Sequence, residues 1–486
     1  RGIDIKNSDF LAGNYKFSGN GASATVTNAG RINVSDGGFA ALLGGRVAND
    51  GIISARLGKV GLGSGEMITL DLAGDGCLSG AIPTNQLGNL RDGTGQALVT
   101  NRGKIRADGG IVHLSAATAN TILRDAVNVP GSIRANSVGT RGGRIVLGGG
   151  EGGRVIVSGR VSASGTRVAR GQTVAGPGGR IDVTGAEIAL NGARLNASGA
   201  TGGGRIRIGG DYQGSGDLQR AQRVAIDSAS IIRADAVVSG NGGTIIVWSD
   251  GVTSVSGAFS ARGGANGGNG GLVETSGHDL AFAGARVDTS APRGRTGEWL
   301  LDPVSLSVNS AAAATISANL ATANVTLLTT ASSASGPGQQ WNGAGDIFVD
   351  APIYWTSGNT LRFNAYNSIF ISASIIGGTG STLWLNTGAS GSVTQTAPIS
   401  VTNLVLPLNF GSVALTNAGN VVSTLRTDDS TIDPNSDTNV INPGSVSFTN
   451  NGNLTTGLLF ARNLTLNIGG SLTATSSMSS GMFSGG

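Results

Sequence analysis

Few residues in this chain are of the kinds that do chemistry, so their types and spacing come first. Asp71 and Asp75 stand four apart in DLAGDG, and Asp346 and Asp350 stand four apart across a short alternating run, which puts them on one face. Carboxylates converging on one face of neighbouring strands are what acid–base cleavage of a polysaccharide requires. The glycines beside Asp71 and Asp75 favour instead a turn whose carboxylates bond their own backbone, and no partner is visible for Asp346 and Asp350. The run TDDSTIDPNSDTN (427–439) gathers Asp428, Asp429, Asp433 and Asp437, calcium-loop candidates in an oxygen-rich segment. It lacks EF-hand spacing and the glycine-rich calcium repeat, so a polar surface loop is the favoured reading. His113 and His278 are 165 positions apart, and no metal cluster builds around them. Cys77, the single cysteine, has no triad around it. The stretch GGANGGNGG (263–271) lacks the Lys-Ser/Thr ending of a phosphate loop. These patterns assign no catalytic residue, no metal site and no cofactor, and the chain is expected not to be an enzyme. Tyr212, Tyr354 and Trp355 are read as exposed aromatics able to stack on glycans, whereas Trp248, Trp299 and Trp384 suit core packing equally well.

The elements that must position these residues follow from composition. Glycine accounts for 83 of 486 residues and proline for 11, without a Gly-X-Y register, which excludes collagen. A hydrophobic content of 39% is enough apolar surface to fold. No apolar run is long enough for a membrane span, and the opening Arg1-Gly2-Ile3-Asp4 carries no secretory pattern. Residues 304–486 hold three arginines, Arg362, Arg426 and Arg462, against six aspartates, a net −3. Residues 1–303 hold 30 basic and 23 acidic groups, a net +7. That positive charge is arginine scattered along the chain without aromatic interleaving, so it reads as solvated outward-facing side chains and no nucleic-acid partner is expected.

A repeat organises the chain. Residues 178–210 read GGRIDVTGAEIALNGARLNASGATGGGRIRIGG: bursts at Ile181–Val183, Ile188–Leu190, Leu195–Ala197 and Ile206–Ile208, separated by glycine and small residues. Residues 145–163, 245–261 and 272–288 repeat the theme, and Gly-Gly pairs at Gly142, Gly178, Gly203 and Gly242 punctuate it. Period-two alternation in such short runs means strands with frequent sharp turns. Strands this short are stable only if each pairs with its equivalent in the next unit. Three runs per unit thus predict an all-β fold, a parallel β-helix (β-solenoid) of three short strands per coil with corner loops. A coil of roughly 22–25 residues would stack into about 20 coils. Corner glycines are expected to supply φ > 0. Gly209–Arg223 and Arg167–Pro177 read as loops leaving a corner, and Ala311–Leu328 as a short helix or loop. After Pro303 arginine and Gly-Gly fade and Ser, Thr and Asn take over, so the chain is divided into 1–303, a Gly/Arg-rich β-helix, and 304–486, a Ser/Thr/Asn-rich β-solenoid continuation.

Three segments, NSDFLAGNYKF (7–17), GGFAALLGGRVANDGIISARLGKVGLGSGEMITLDLAGDG (37–76) and GLVETSGHDLAFAGARVDTSAPRGRTGEWLLDP (271–303), resemble the two-partner-secretion exoproteins of Gram-negative bacteria, the filamentous haemagglutinin-like adhesins and haemolysins. The resemblance covers residues 1–303 and extends to 304–486 by texture only. It implies a right-handed β-helix, exported through a dedicated outer-membrane transporter and secreted or displayed on the bacterial cell surface. The family's secretion domain carries Asn-Pro motifs, and the only Asn-Pro here is Asn442-Pro443. The chain is therefore expected to begin near the end of that domain and not to bind the transporter alone.

The expected function is that of a non-enzymatic adhesin or surface rod, presenting binding loops to host or neighbouring-cell glycans or matrix proteins. Two alternatives stand beside it. One is a polysaccharide-active β-helix enzyme, which requires a groove lined by carboxylates. The other is a self-associating extracellular matrix or filament component, joined through the strand edges of terminal coils.

Overall fold

The computed structural model describes residues 3–19, 24–71, 78–81, 97–118, 124–169, 172–329, 344–388, 390–407, 411–427, 444–475 and 478–480. Two compact units emerge, Arg1–Thr275 with Asp288–Gly297, and Ser276–Val287 with Glu298–Gly486. Strands dominate both, paired almost everywhere in parallel, and the fold is an all-β parallel β-helix.

In the first unit each coil contributes one strand to each of three faces. The first face pairs Thr25–Asn28 with Arg46–Asn49, then Val99–Asn101, Arg124–Val129, Gly153–Val157, Glu187–Leu190 and Arg223–Ile226. The second runs Arg31–Val34, Ile52–Ala55, Lys104–Arg106, Ser132–Arg134, Arg160–Ser162, Arg194–Asn196, Ile231–Arg233 and Ala258–Ser260. The third runs Phe39–Gly44, Lys59–Ser64, Ile111–Ala116, Arg144–Gly148, Arg180–Thr184 and Arg205–Ile208, ending on the start of Thr244–Val255. Register puts like on like. Ile53, Ile105, Ile133, Val161, Leu195 and Ile232 form one inward row, each buried. Burying such a row removes about 1.5–3 kcal/mol worth of apolar surface from water per side chain. That shelter is what holds strands of three residues in place.

Coil length varies more than the expected 22–25 residues. Rung-to-rung hydrogen bonds span 21 residues at Asn28–Asn49, 28 at Asp108–Asn136 and 34 at Ser164–Ser198. The differences are excursions from corners. Where a loop was expected over 167–177, Thr166–Ala169 and Gln172–Ala175 pair as antiparallel strands. An antiparallel sheet of Lys16–Ser18, Met67–Leu70 and Leu78–Ala81 forms beside the helix Asn7–Leu11. Its Ile68 and Leu78 pack with Leu43 and Ile3 into a separate apolar cluster.

The corner glycines correct one expectation. Gly192 does take φ 67°, but Gly143 and Gly203 do not have positive φ. A Cβ on Gly143 would lie 1.5 Å from the Ala135 carbonyl oxygen, and one on Gly203 1.9 Å from that of Ala234. Close approach of backbone, from the same coil at Gly143 and from the next coil at Gly203, rather than backbone handedness, excludes every other residue there.

The second unit repeats the three-strand coil with different outer chemistry. One face runs Leu306–Val308, Ile347–Val349, Ile369–Ile371, Ser392–Gln395, Ser412–Leu415, Ser445–Asn450 and Asn463–Ile468. Within 311–328, Ser310–Asn319 is a helix and Asn324–Leu328 a strand. Asn309 caps the helix by accepting from the amides of Ala311 and Ala312, worth about 1 kcal/mol. The helix occupies a strand's place in its coil. Asn319 and Thr315 bond the backbone at Val287 and Gly284, and Ser317 accepts from the Tyr354 amide.

Candidate functional site

The densest charge cluster in the first unit lies on the outer side of its third face. Register places Arg144, Arg180 and Arg205 in one row, and Val146, Asp182 and Arg207 in the next. Asp182 is 1% exposed; it accepts from Arg207 Nε at 2.8 Å and from Arg180 Nε at 2.9 Å, with Arg144 Nε at 3.9 Å. Burial lifts its carboxyl above the ordinary carboxylate range, and the charges of Arg180, Arg144 and Arg205 oppose that lift.

This cluster fastens a loop. Asp211, at the start of residues 209–222, pairs with both Arg205 and Arg207 and accepts from the Tyr212 amide. The Gln213 amide donates to Glu274 at 2.9 Å, and Trp248 donates to Asp250, which also holds Arg220. Gly210 and Gly214 lie so close to the Trp248 ring that a Cβ on either would come within 2.7 Å of it. Tyr212 is left at the loop's crest, 40% exposed. Beside the loop, the stacked Gly-Gly pairs floor a groove of about 540 Å³ with Arg144, Arg180 and Arg205 along one side. Both oxygens of Asp182 are taken by guanidinium groups, so the cluster's chemistry is anchoring.

The residues singled out from the sequence scatter. Asp75, Cys77, Asp428, Asp429, Asp433 and Asp437 lie outside the described residues. Asp346 accepts from Asn367 Nδ2 and the Ser368 amide, and Asp350 from the hydroxyls of Ser307 and Ser372. These two carboxylates therefore clamp successive rungs at opposite ends of Ile347–Val349. Among the described residues no group of three or more His, Cys, Asp and Glu side chains comes together. His278 meets Asp279 at 3.2 Å. His113 lies under the antiparallel sheet, its Nδ1 accepting from the Leu78 amide at 3.2 Å. Burial, reinforced by Arg144, lowers its pKa from 6.5 to about 4, so the ring is neutral at physiological pH. Tyr354 is 56% exposed, but Trp355 is 2% exposed with its Nε1 donating to the Asn359 carbonyl. Adjacent strand residues point to opposite faces, so Trp355 cannot stack on a glycan. Trp248, Trp299 and Trp384 are all buried. Sequence reasoning missed the Asp182–Arg207 pair, whose signal was a charged residue at the outward position of RIDV and RIRI.

No family model matches the chain, and no curated protein matches it. Among solved structures it is similar to the HMW1 secretion domain from Haemophilus influenzae, at 30% identity, with a TM-score of 0.49. The match covers 62% of this chain and 73% of that one. The chain is two-partner-secretion exoprotein-like. No helix among its described residues is long and apolar enough to cross a membrane.

Proposed function

We propose that this chain belongs to a secreted, non-enzymatic adhesin that reaches the bacterial surface through a dedicated outer-membrane transporter and presents loops from its coils. The observation that carries the reading is the 209–222 loop. Four acidic side chains, Asp182, Asp211, Asp250 and Glu274, are spent holding it down or anchoring the arginines beneath it, and Tyr212 is raised to solvent at its crest. Fixing a loop before contact lowers the entropy lost on binding. Tyr212 in the first unit and Tyr354 in the second are the aromatic faces offered to a sugar ring, with affinity gathered over several shallow contacts.

A glycan and matrix-protein binding array with the purified chain tests this, run beside a polysaccharide degradation screen. Retention of particular glycans or proteins, weakened by Tyr212→Ala or Tyr354→Ala without product release, is the expected result. Release of oligosaccharides from any polysaccharide would instead make the chain an enzyme.

A further inference from the structure

Over eight successive strands the second face of the first unit carries charge of one sign only, and acid reappears beyond them at Asp288. These eight strands, from Arg31–Val34 to Ala258–Ser260, contain no aspartate or glutamate, and their outward positions hold Arg31, Lys104, Arg106, Arg160, Arg194 and Arg233, all exposed. Arg134 also lies here and is tied to Asp108. None of the six makes an ion pair or side-chain hydrogen bond among the described residues. Arginines on the other two faces behave differently: Arg154 pairs with Asp125 at 2.6 Å, Arg180 and Arg207 with Asp182, and Arg223 approaches Glu187 at 4.0 Å.

Register sharpens the contrast. Arg160 pairs directly with Arg194, Arg106 with Arg134, and Lys104 sits one rung from Ser132. Like charges on neighbouring strands at this spacing destabilise a sheet, so packing alone gives no reason to keep them. Six steps of ~4.8 Å separate the rung of Arg31 from that of Arg233, giving a strip about 30 Å long and two side chains wide.

From this face we infer a binding surface for a linear acidic polysaccharide laid along the stacking direction. A polymer with a carboxylate or sulfate on each sugar meets one cationic group after another, and the guanidinium fork accepts either anion in a bidentate manner. Single-stranded nucleic acid fits less well, because the strip has no outward aromatic on which bases would stack; Phe259, its one aromatic, is buried. An anionic lipid surface fits less well too, since the strip presents no exposed large apolar side chain to enter it.

The test uses the full chain, immobilised, with polygalacturonate and dextran sulfate as probes and neutral dextran as control. Binding to at least one acidic polymer, released by added salt, is expected, and the two probes separate carboxylate from sulfate recognition. The double variant Arg160→Gln/Arg194→Gln should lose about tenfold or more in affinity while melting no lower than the parent. Arg154→Gln/Arg223→Gln, on the first face, should bind as the parent does. Binding to neither acidic polymer overturns the proposal, as does equal loss in both double variants. Tighter capture of oligo-dT or of phosphatidylglycerol vesicles than of either polysaccharide also overturns it.

Discussion

The two units share a backbone plan and differ in what ties one rung to the next. In the first, carboxylates and guanidiniums bridge the rungs: Asp182 with Arg207, Arg134 with Asp108, Arg262 with Asp235. In the second, guanidiniums give way to amides and hydroxyls, which bridge one another, as in Asn386 to Asn364 at 2.9 Å and Asn420 with Gln395, or donate to the carboxylates of Asp346 and Asp350. It adds stacked rings, Phe348 on Phe370 at 5.0 Å, and Arg362 over Trp384. Inward rows are apolar in both, aliphatic for the most part in the first and joined by Trp299, Phe363 and Phe448 in the second. The lesson is that burial specifies the coil, while the outward chemistry is free to change and sets how each unit answers to pH, salt and mutation.

The sharpest way to separate the units is pH, because Asp302 in the second and His113 in the first are buried groups that titrate in opposite senses. In the second unit Asp302 is 3% exposed, and burial pushes its pKa from 3.8 to about 7. A carboxyl favoured as the neutral form in the fold supports stability below its unfolded pKa, and that support is lost as pH rises from 3.8 through 7. The shift corresponds to about 4 kcal/mol. Denaturant titrations of the second unit across that range should show the decline, and Asp302→Asn should flatten it. In the first unit His113 is favoured as the neutral base, so its contribution is present above 6.5 and lost as pH falls toward 4, about 3 kcal/mol. Hydrogen-exchange protection at Met67–Leu70 and Leu78–Ala81, corrected for the intrinsic slowing of amide exchange in acid, should fall over that interval, and unchanged protection would contradict the burial of His113.

Smaller effects test the bridges themselves. Asn28, Asn49 and Asn101 form a buried ladder in the first unit, with amide-to-carbonyl distances of 2.8 and 2.7 Å. Removing the central rung with Asn49→Ala strands both the Asn28 donor and the Asn101 acceptor, and should cost about 1–3 kcal/mol in chemical denaturation. Arg154→Gln should cost under about 1 kcal/mol, an effect that shrinks in high salt because the pair is half-exposed. Asn386→Ala should cost a similar amount in the second unit with no salt dependence, since its bridge carries no charge.

Much of this was legible in the sequence, for a physical reason. Alternation of apolar residues in runs such as Arg180–Thr184 and Glu187–Leu190 is dictated by which side faces the core, so strand identity and parallel stacking followed directly. The Gly-Gly pairs were legible as corners, but their cause was not, because close approach between coils depends on residues such as Ala234, which is distant in sequence from Gly203. The Asn ladder was hidden by the antiparallel sheet inserted between Asn49 and Asn101, which stretches one interval to 52 residues. Arginines that look scattered along the chain become a row only once register is known, as with Arg160 and Arg194. Trp355 was open to correction from the sequence alone, since Tyr354 beside it already claimed the outer side.

Register between coils is the claim on which these contrasts rest, and paired cysteines test it directly in a Cys77→Ser background. Residues facing each other across adjacent parallel strands are close enough for a disulfide when their side chains share a side. Arg160→Cys/Arg194→Cys should therefore close on mild oxidation, whereas Arg160→Cys/Leu195→Cys, shifted by one residue so that the second thiol points into the core, should stay reduced. Closure of the shifted pair in preference to the aligned one, or of neither, would contradict the stacked, in-register coil.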